Sequence, residues 1–204
     1  MNRIQENIQS LLVVKAVGDN ISMDVTNKKL SLLKREDVTV PVIYIGAGTC
    51  GLGAGAAKTL EGINSYLSNK KINAEVIEVG CIGLCAAEPI VDIQLPGHNR
   101  IAFGGVTGNK IDELLEAVFN LEIPKSIAPL YQFPIAEKRS WEGVTHFNKH
   151  PYFEKQQRIV LQNCGTLNPV SIDEYIATGG YQSYLNTINT YEPEQVCNMV
   201  VDSG

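Results

Sequence analysis

The chain has 204 residues, with 17 lysines and arginines against 22 aspartates and glutamates, a formal net charge of −5, and 44% hydrophobic residues. That composition supports a buried core and suits one ordinary domain with appendages or two small domains. The acidic balance argues against a general nucleic-acid binder, which needs a basic stripe to displace phosphate counterions. The best apolar run, Leu11-Leu12-Val13-Val14, is broken by Lys15 and falls far short of a bilayer span. It also lacks the basic start and cleavage site of a secretory signal, so a cytoplasmic protein without a membrane span is expected.

Residues 1–37 form an N-terminal extension in which Ile4, Ile8, Leu11 and Leu12 recur at helical spacing, predicting a short amphipathic helix. Asn27-Lys28-Lys29 reads as a polar turn. Val40 to Ile45 is a β-rich run that stops at Gly46. Beyond it Leu52, Ala56, Leu60, Ile63 and Leu67 predict one helix with a single buried stripe. Ala74 to Val79 is a second strand, ending at a loop that holds Cys81 and Cys85. Pro89 precedes a third strand, Ile90 to Leu95, and the Pro96-Gly97 turn sends the chain back as Arg100 to Phe103. Ile111, Leu114, Leu115 and Val118 then mark a closing helix.

The order is β-α-β, a β-hairpin, then α, over residues 38–122. A right-handed crossover makes the first two strands parallel, and the hairpin adds an antiparallel pair to the same mixed sheet. This is a thioredoxin-like α/β arrangement. An all-parallel sheet needs a helix between the third and fourth strands, and Pro96 to Asn99 leaves no room for one. Residues 123–157, with Pro124, Pro129, Pro134 and Pro151, read as an irregular connector around the only tryptophan, Trp141. Residues 158–204 read as mostly helical. Ser171 and Glu174 form a capping box, two helical stripes are split by Gly179-Gly180, and Pro193 opens a last helix.

Gly46-Ala47-Gly48-Thr49-Cys50-Gly51 is a literal G-x-G-x-x-G between a strand and a helix, with Glu78 standing where a ribose-binding carboxylate would. A Rossmann-type dinucleotide site is therefore one alternative. The hairpin, and the passage of Glu78 straight into a cysteine loop, speak against it.

Five cysteines, an odd number, do not make a disulfide framework. Cys50 opens the first helix, where the dipole favours a thiolate. Adjacent parallel strands bring its loop and the Cys81/Cys85 loop to one end of the sheet, so three thiols converge. Soft thiolates in tetrahedral geometry suit iron–sulfur or zinc. Cys164 and Cys197 are expected to be buried structural thiols, and His98, His146, His150 and Lys70-Lys71 to be solvated.

Gly48-Thr49-Cys50, Gly55-Ala56, Gly80-Cys81-Ile82-Gly83-Leu84-Cys85 and Pro89-Ile90-Val91 resemble the thioredoxin-like [2Fe-2S] ferredoxin domain. That domain stands at the N-terminus of flavin-binding subunits in NADH dehydrogenase-like complexes and NAD-linked hydrogenases. Asn163-Cys164-Gly165, Ser171 to Ile176 and Gly179-Gly180-Tyr181 resemble the lead-in to that family's flavin- and NADH-binding domain. The resemblance implies an electron-transfer or docking module, with Cys50, Cys81 and Cys85 as ligands of a [2Fe-2S] cluster. It further implies other complex subunits as partners, with FMN and NADH bound only in a downstream domain.

Two departures stand out. The family's first cysteine falls five residues before the second, and Ile45 occupies that place here. The fourth position is left to solvent, the Thr49 hydroxyl or another cysteine. The residues also end before the glycine-rich flavin and NADH motifs, so either a longer subunit or a partner chain carries them. The alternatives are a cluster-free thioredoxin-like interaction module, and zinc on three thiolates plus water. A Cys81–Cys85 redox disulfide is disfavoured, because thioredoxin chemistry uses two intervening residues rather than three.

Overall fold

A computed structural model describes residues 23–204; the helix expected around Ile4 to Leu12 lies outside them. The described chain divides into two units, residues 36–169 and residues 23–35 together with 170–204.

The larger unit is built on β1 (Val42–Gly46), a strand buried along its whole length. Both faces of β1 are covered, as expected of a central strand with no polar alternation. Ile43 and Ile45 face a core shared with Ile63, Leu67, Leu114, Leu115 and Val118. Val42 and Tyr44 lie in a second cluster with Val38, Ile77 and Val79. Helices α2 (Thr49–Gly53) and α3 (Ala56–Lys70) cross to β2 (Glu75–Val79), which pairs parallel to β1 with Ile43 opposite Val76. β3 (Val91–Gln94) then returns antiparallel to β1, with Ile45 opposite Val91, and forms the hairpin with β4 (Arg100–Phe103). Helix α4 (Ile111–Phe119) follows. The antiparallel β1–β3 pairing overturns the all-parallel, dinucleotide-binding alternative and gives a thioredoxin-like fold.

The structure departs from the predicted elements in three places. The single helix expected from Cys50 to Leu67 is broken at Ala54-Gly55, where Gly55 takes the left-handed conformation at φ 102°. The break rotates Leu52 off the buried stripe, leaving it 54% exposed. Second, the proline-containing segment after residue 122 is part of the sheet. β5 (Pro129–Phe133) pairs antiparallel with β4, giving the order β2-β1-β3-β4-β5. Proline is tolerated because it opens a strand at the sheet edge. The buried Gln132 donates to the Trp141 and Val144 carbonyls and accepts from the Trp141 amide. The Trp141 indole in turn donates to the Asn99 carbonyl at 2.8 Å. Third, Asn27-Lys28-Lys29 is no turn but lies within α1 (Met23–Leu33).

The smaller unit contains α1, α5 (Ile172–Ala177), α6 (Gln182–Thr190) and α7 (Pro193–Asp202). Ser171 caps α5 by accepting from the Glu174 amide. The Glu174 carboxylate, 3% exposed, accepts from Arg35 at 2.6 Å and joins α5 to the end of α1. Pro193 opens α7 behind a reciprocal capping box between Glu192 and Gln195. Among the described residues no helix is long and apolar enough to cross a membrane.

Candidate functional site

Parallel pairing puts the C-terminal ends of β1 and β2 side by side, and the Ala47 amide donates to the Val79 carbonyl at 2.9 Å. The two chains then turn toward each other. The glycines of the G-x-G-x-x-G run serve this close packing. A side chain at Gly51 would begin 1.9 Å from the Gly46 carbonyl oxygen, and one at Gly48 would begin 3.3 Å from the Cys81 amide nitrogen. Glu78 points into solvent, away from any such site.

Cys50 sits in the single-turn helix α2, Cys81 just past β2, and Cys85 at the start of a 3-10 turn over Cys85–Ala87. The Cys50 thiol lies 3.3 Å from the Cys85 sulfur, and the Cys81 sulfur 3.6 Å from that of Cys85. All three sulfurs fall within 4.8 Å of one another. Two thiolates on one tetrahedral ion with bonds of ~2.3 Å are about 3.8 Å apart, so these spacings suit soft-metal ligation. Cys50 and Cys85 are exposed and Cys81 is half-buried. Burial pushes the Cys81 thiol up, against the Gly83 amide, which donates to its sulfur at 3.3 Å.

Ile45, at the place of the missing ligand, is fully buried in the core beneath the sheet. Among the described residues no further histidine, cysteine or carboxylate joins the group. The donor set is three thiolates, one fewer than the four that a [2Fe-2S] cluster usually takes. Cys164 is half-buried. Cys197 is exposed on α7 rather than buried as expected, because the face of that short helix it occupies meets no core. Two of the histidines expected in solvent pack on aromatic rings: His98 lies 5.7 Å from Trp141, and His150 lies 5.8 Å from Tyr131.

Four further residues shape the site without standing out in the sequence. Glu88, 8% exposed, lies beside Gly46 and Gly51. Burial raises its pKa, opposed by the Ile90 amide, which donates to it at 2.8 Å, and by the Cys81 thiol. Tyr152 donates its hydroxyl to the Gly83 carbonyl at 2.9 Å. Gly165 backs onto Ile82, and its carbonyl accepts from Arg100, which also reaches the Thr166 carbonyl at 3.3 Å. Arg100 is buried, stacked 3.5 Å from the Tyr44 ring and paired with Asp92 at 2.6 Å. Burial raises the Asp92 pKa more than Arg100 lowers it. A strap of residues 152–166 thus buttresses the cysteine loop from outside. The one advance signal was Glu88 itself, an acid in the otherwise apolar run Ala86-Ala87-Glu88-Pro89-Ile90.

Fold and site define a thioredoxin-like domain that gathers three cysteines at the end of its parallel strand pair. No family model matches the chain. Over 91 residues it is 33% identical to the NADP-reducing hydrogenase subunit HndB of Solidesulfovibrio fructosivorans, an alignment covering 44% of this chain and 72% of HndB. The chain belongs to the HndB family. It is also 45% identical over 51 residues to subunit HndC of the same hydrogenase, a match spanning 25% of this chain and 10% of HndC. The thioredoxin-like [2Fe-2S] ferredoxin from Aquifex aeolicus superposes with a TM-score of 0.40 at 12% identity, covering 48% of this chain and 98% of the ferredoxin.

Proposed function

We propose that this chain is an electron-transfer and docking subunit of an NAD(P)-linked hydrogenase or NADH dehydrogenase-like complex, working in the reducing cytoplasm. The observation that carries the reading is the convergence of Cys50, Cys81 and Cys85 within 4.8 Å in a member of the HndB family. In this reading the three thiolates hold a [2Fe-2S] cluster, which when bound supplies one-electron transfer. Cys50 and Cys85 present their sulfurs at the surface, where a redox partner approaches, while the Gly83 amide steadies the sulfur of Cys81. Backbone donors of this kind raise a centre's potential by offsetting thiolate charge. Oxidation of the nicotinamide falls to a partner flavin- and NADH-binding domain.

The burial of Ile45 favours one other reading, a cluster-free module with the same docking role. Anaerobic purification and reconstitution separate the two. About two irons and two sulfides per chain, with a visible chromophore bleached by dithionite, support the cluster. A colourless chain that still assembles with the hydrogenase subunits supports the cluster-free module, and one that neither binds iron nor assembles overturns both.

A further inference from the structure

We propose that the metal-free triad is an oxidation site that closes as a Cys50–Cys85 disulfide, with Cys81 as the thiol that can later displace it. The inference uses the thiols of the reading above but needs no cluster, so it stands or falls separately. Its basis is that Cys85 lies between two partners. The Cys50 sulfur is 3.3 Å away and exposed like that of Cys85, whereas the Cys81 sulfur is 3.6 Å away, half-buried and engaged by the Gly83 amide. Thiol oxidation follows access and approach of the two sulfurs, both of which favour the Cys50–Cys85 pair. Closing it needs an approach of roughly 1.3 Å to reach an S–S bond of ~2.05 Å.

The oxidant is a peroxide. The Cys50 thiolate attacks one peroxide oxygen; an S–O bond forms, the O–O bond breaks, and water leaves once the departing oxygen is protonated. The Cys85 thiolate then attacks the Cys50 sulfenic acid, forming the S–S bond and expelling hydroxide, which is protonated to a second water. Two thiols and hydrogen peroxide become one disulfide and two waters, the sulfurs giving up the two electrons the peroxide gains. Attack of the Cys81 thiolate on the Cys85 sulfur moves the bond to Cys81–Cys85 and frees Cys50, with no net redox change. Either disulfide withdraws two of the three metal-ligating thiols, so oxidation blocks metal loading until a thiol reductant restores them.

The test uses the full chain, purified anaerobically and stripped of metal with a chelator, then given one equivalent of hydrogen peroxide, alkylated and digested. Cys50 falls in the tryptic peptide of residues 36–58, while Cys81 and Cys85 share residues 72–100, so fragmentation spectra locate the link. The expected result is a dominant Cys50–Cys85 cross-link, loss of two of the five titratable thiols, and recovery of both with dithiothreitol. The cross-link persists in Cys81→Ser, and in a Cys164→Ser/Cys197→Ser double variant. A Cys81–Cys85 link that dominates from the earliest alkylated time point, links to Cys164 or Cys197, or overoxidation without cross-linking overturns the proposal. Iron and sulfide analysis of the reduced chain reports on the cluster independently.

Discussion

Arg100→Met tests how the strap is held over the cysteine loop. In the wild type the guanidinium pairs with Asp92 at 2.6 Å, stacks on Tyr44 and donates to the Gly165 and Thr166 carbonyls, with side-chain exposures of 6% for Arg100 and 4% for Asp92. Methionine fills much of the volume but leaves the Asp92 carboxylate buried and unpaired. Removing one partner of such a pair costs about 3–5 kcal/mol. Asp92 Oδ1 already has no hydrogen-bond partner, so no second interaction compensates. The cost depends on pH. The folded pKa of Asp92 lies above its unfolded value even with Arg100 present, and loss of the cation raises it further. Wild type and variant lose stability in parallel as pH rises from the unfolded value to the raised folded pKa of the wild type, so the deficit of the variant is small below that point and grows as pH rises from it toward the variant's higher folded pKa. Urea unfolding of wild type and Arg100→Met at pH 7 and again at pH 4 measures this. The deficit should be several kcal/mol at pH 7 and shrink at pH 4. A loss below about 1 kcal/mol at pH 7, or one equal at both pH values, would refute the reasoning.

Three further outcomes are expected. Gly51→Ala places a methyl group 1.9 Å from the Gly46 carbonyl, so thermal unfolding should show a fall in Tm of many degrees and weaker iron retention, whereas Gly53→Ala, with open space around it, should not. Burial, then the hydrogen bond to Glu116 at 2.8 Å, pushes the Tyr66 phenol up to about 12, and burial raises Tyr131 as well, so ultraviolet pH titration should find both among the late-ionising tyrosines, with only Tyr66 brought down by Glu116→Gln. Tyr152→Phe removes only the hydrogen bond to Gly83 and should cost about 0.5–1.5 kcal/mol by urea unfolding while quickening the reaction of Cys81 with a thiol reagent; unchanged reactivity would separate the strap from the loop.

The strands and the meeting of the three cysteines were legible because local signals carry both. Glycine and proline punctuate β1 to β4, and a right-handed β-α-β unit can only bring the ends of parallel strands to one pole. The helix break was hidden because Leu52, Ala56, Leu60, Ile63 and Leu67 keep helical spacing straight through Gly55, and spacing alone carries no φ angle. β5 was hidden for a different reason. Its opening proline and buried Gln132 mimic a polar loop, and the Trp141 and Val144 carbonyls, with the Trp141 amide and Asn99 donating to its oxygen, satisfy that glutamine inside. The supports of the site depend on pairs as distant in sequence as Arg100 with Gly165 and Tyr152 with Gly83, for which the residues alone give no cue.

Those distant pairs bear on how the triad is built. The β-α-β crossover delivers the thiols to one pole, but the Cys81–Cys85 loop puts only Ile82 into the core with Leu84 half-buried beside it, and Gly83 turns it through the left-handed region at φ 96°. It is held from outside, through Tyr152 on Gly83, Gly165 on Ile82, and the buried Arg100, which donates to the Gly165 carbonyl on the same face of the sheet. A buried ion pair stabilises weakly at best, yet losing one partner is costly. Asp92 and Arg100 are therefore better understood as fixing where the strap sits than as adding to overall stability. The spacing of the three sulfurs is thus set jointly by the thioredoxin-like core and by the segment that follows it.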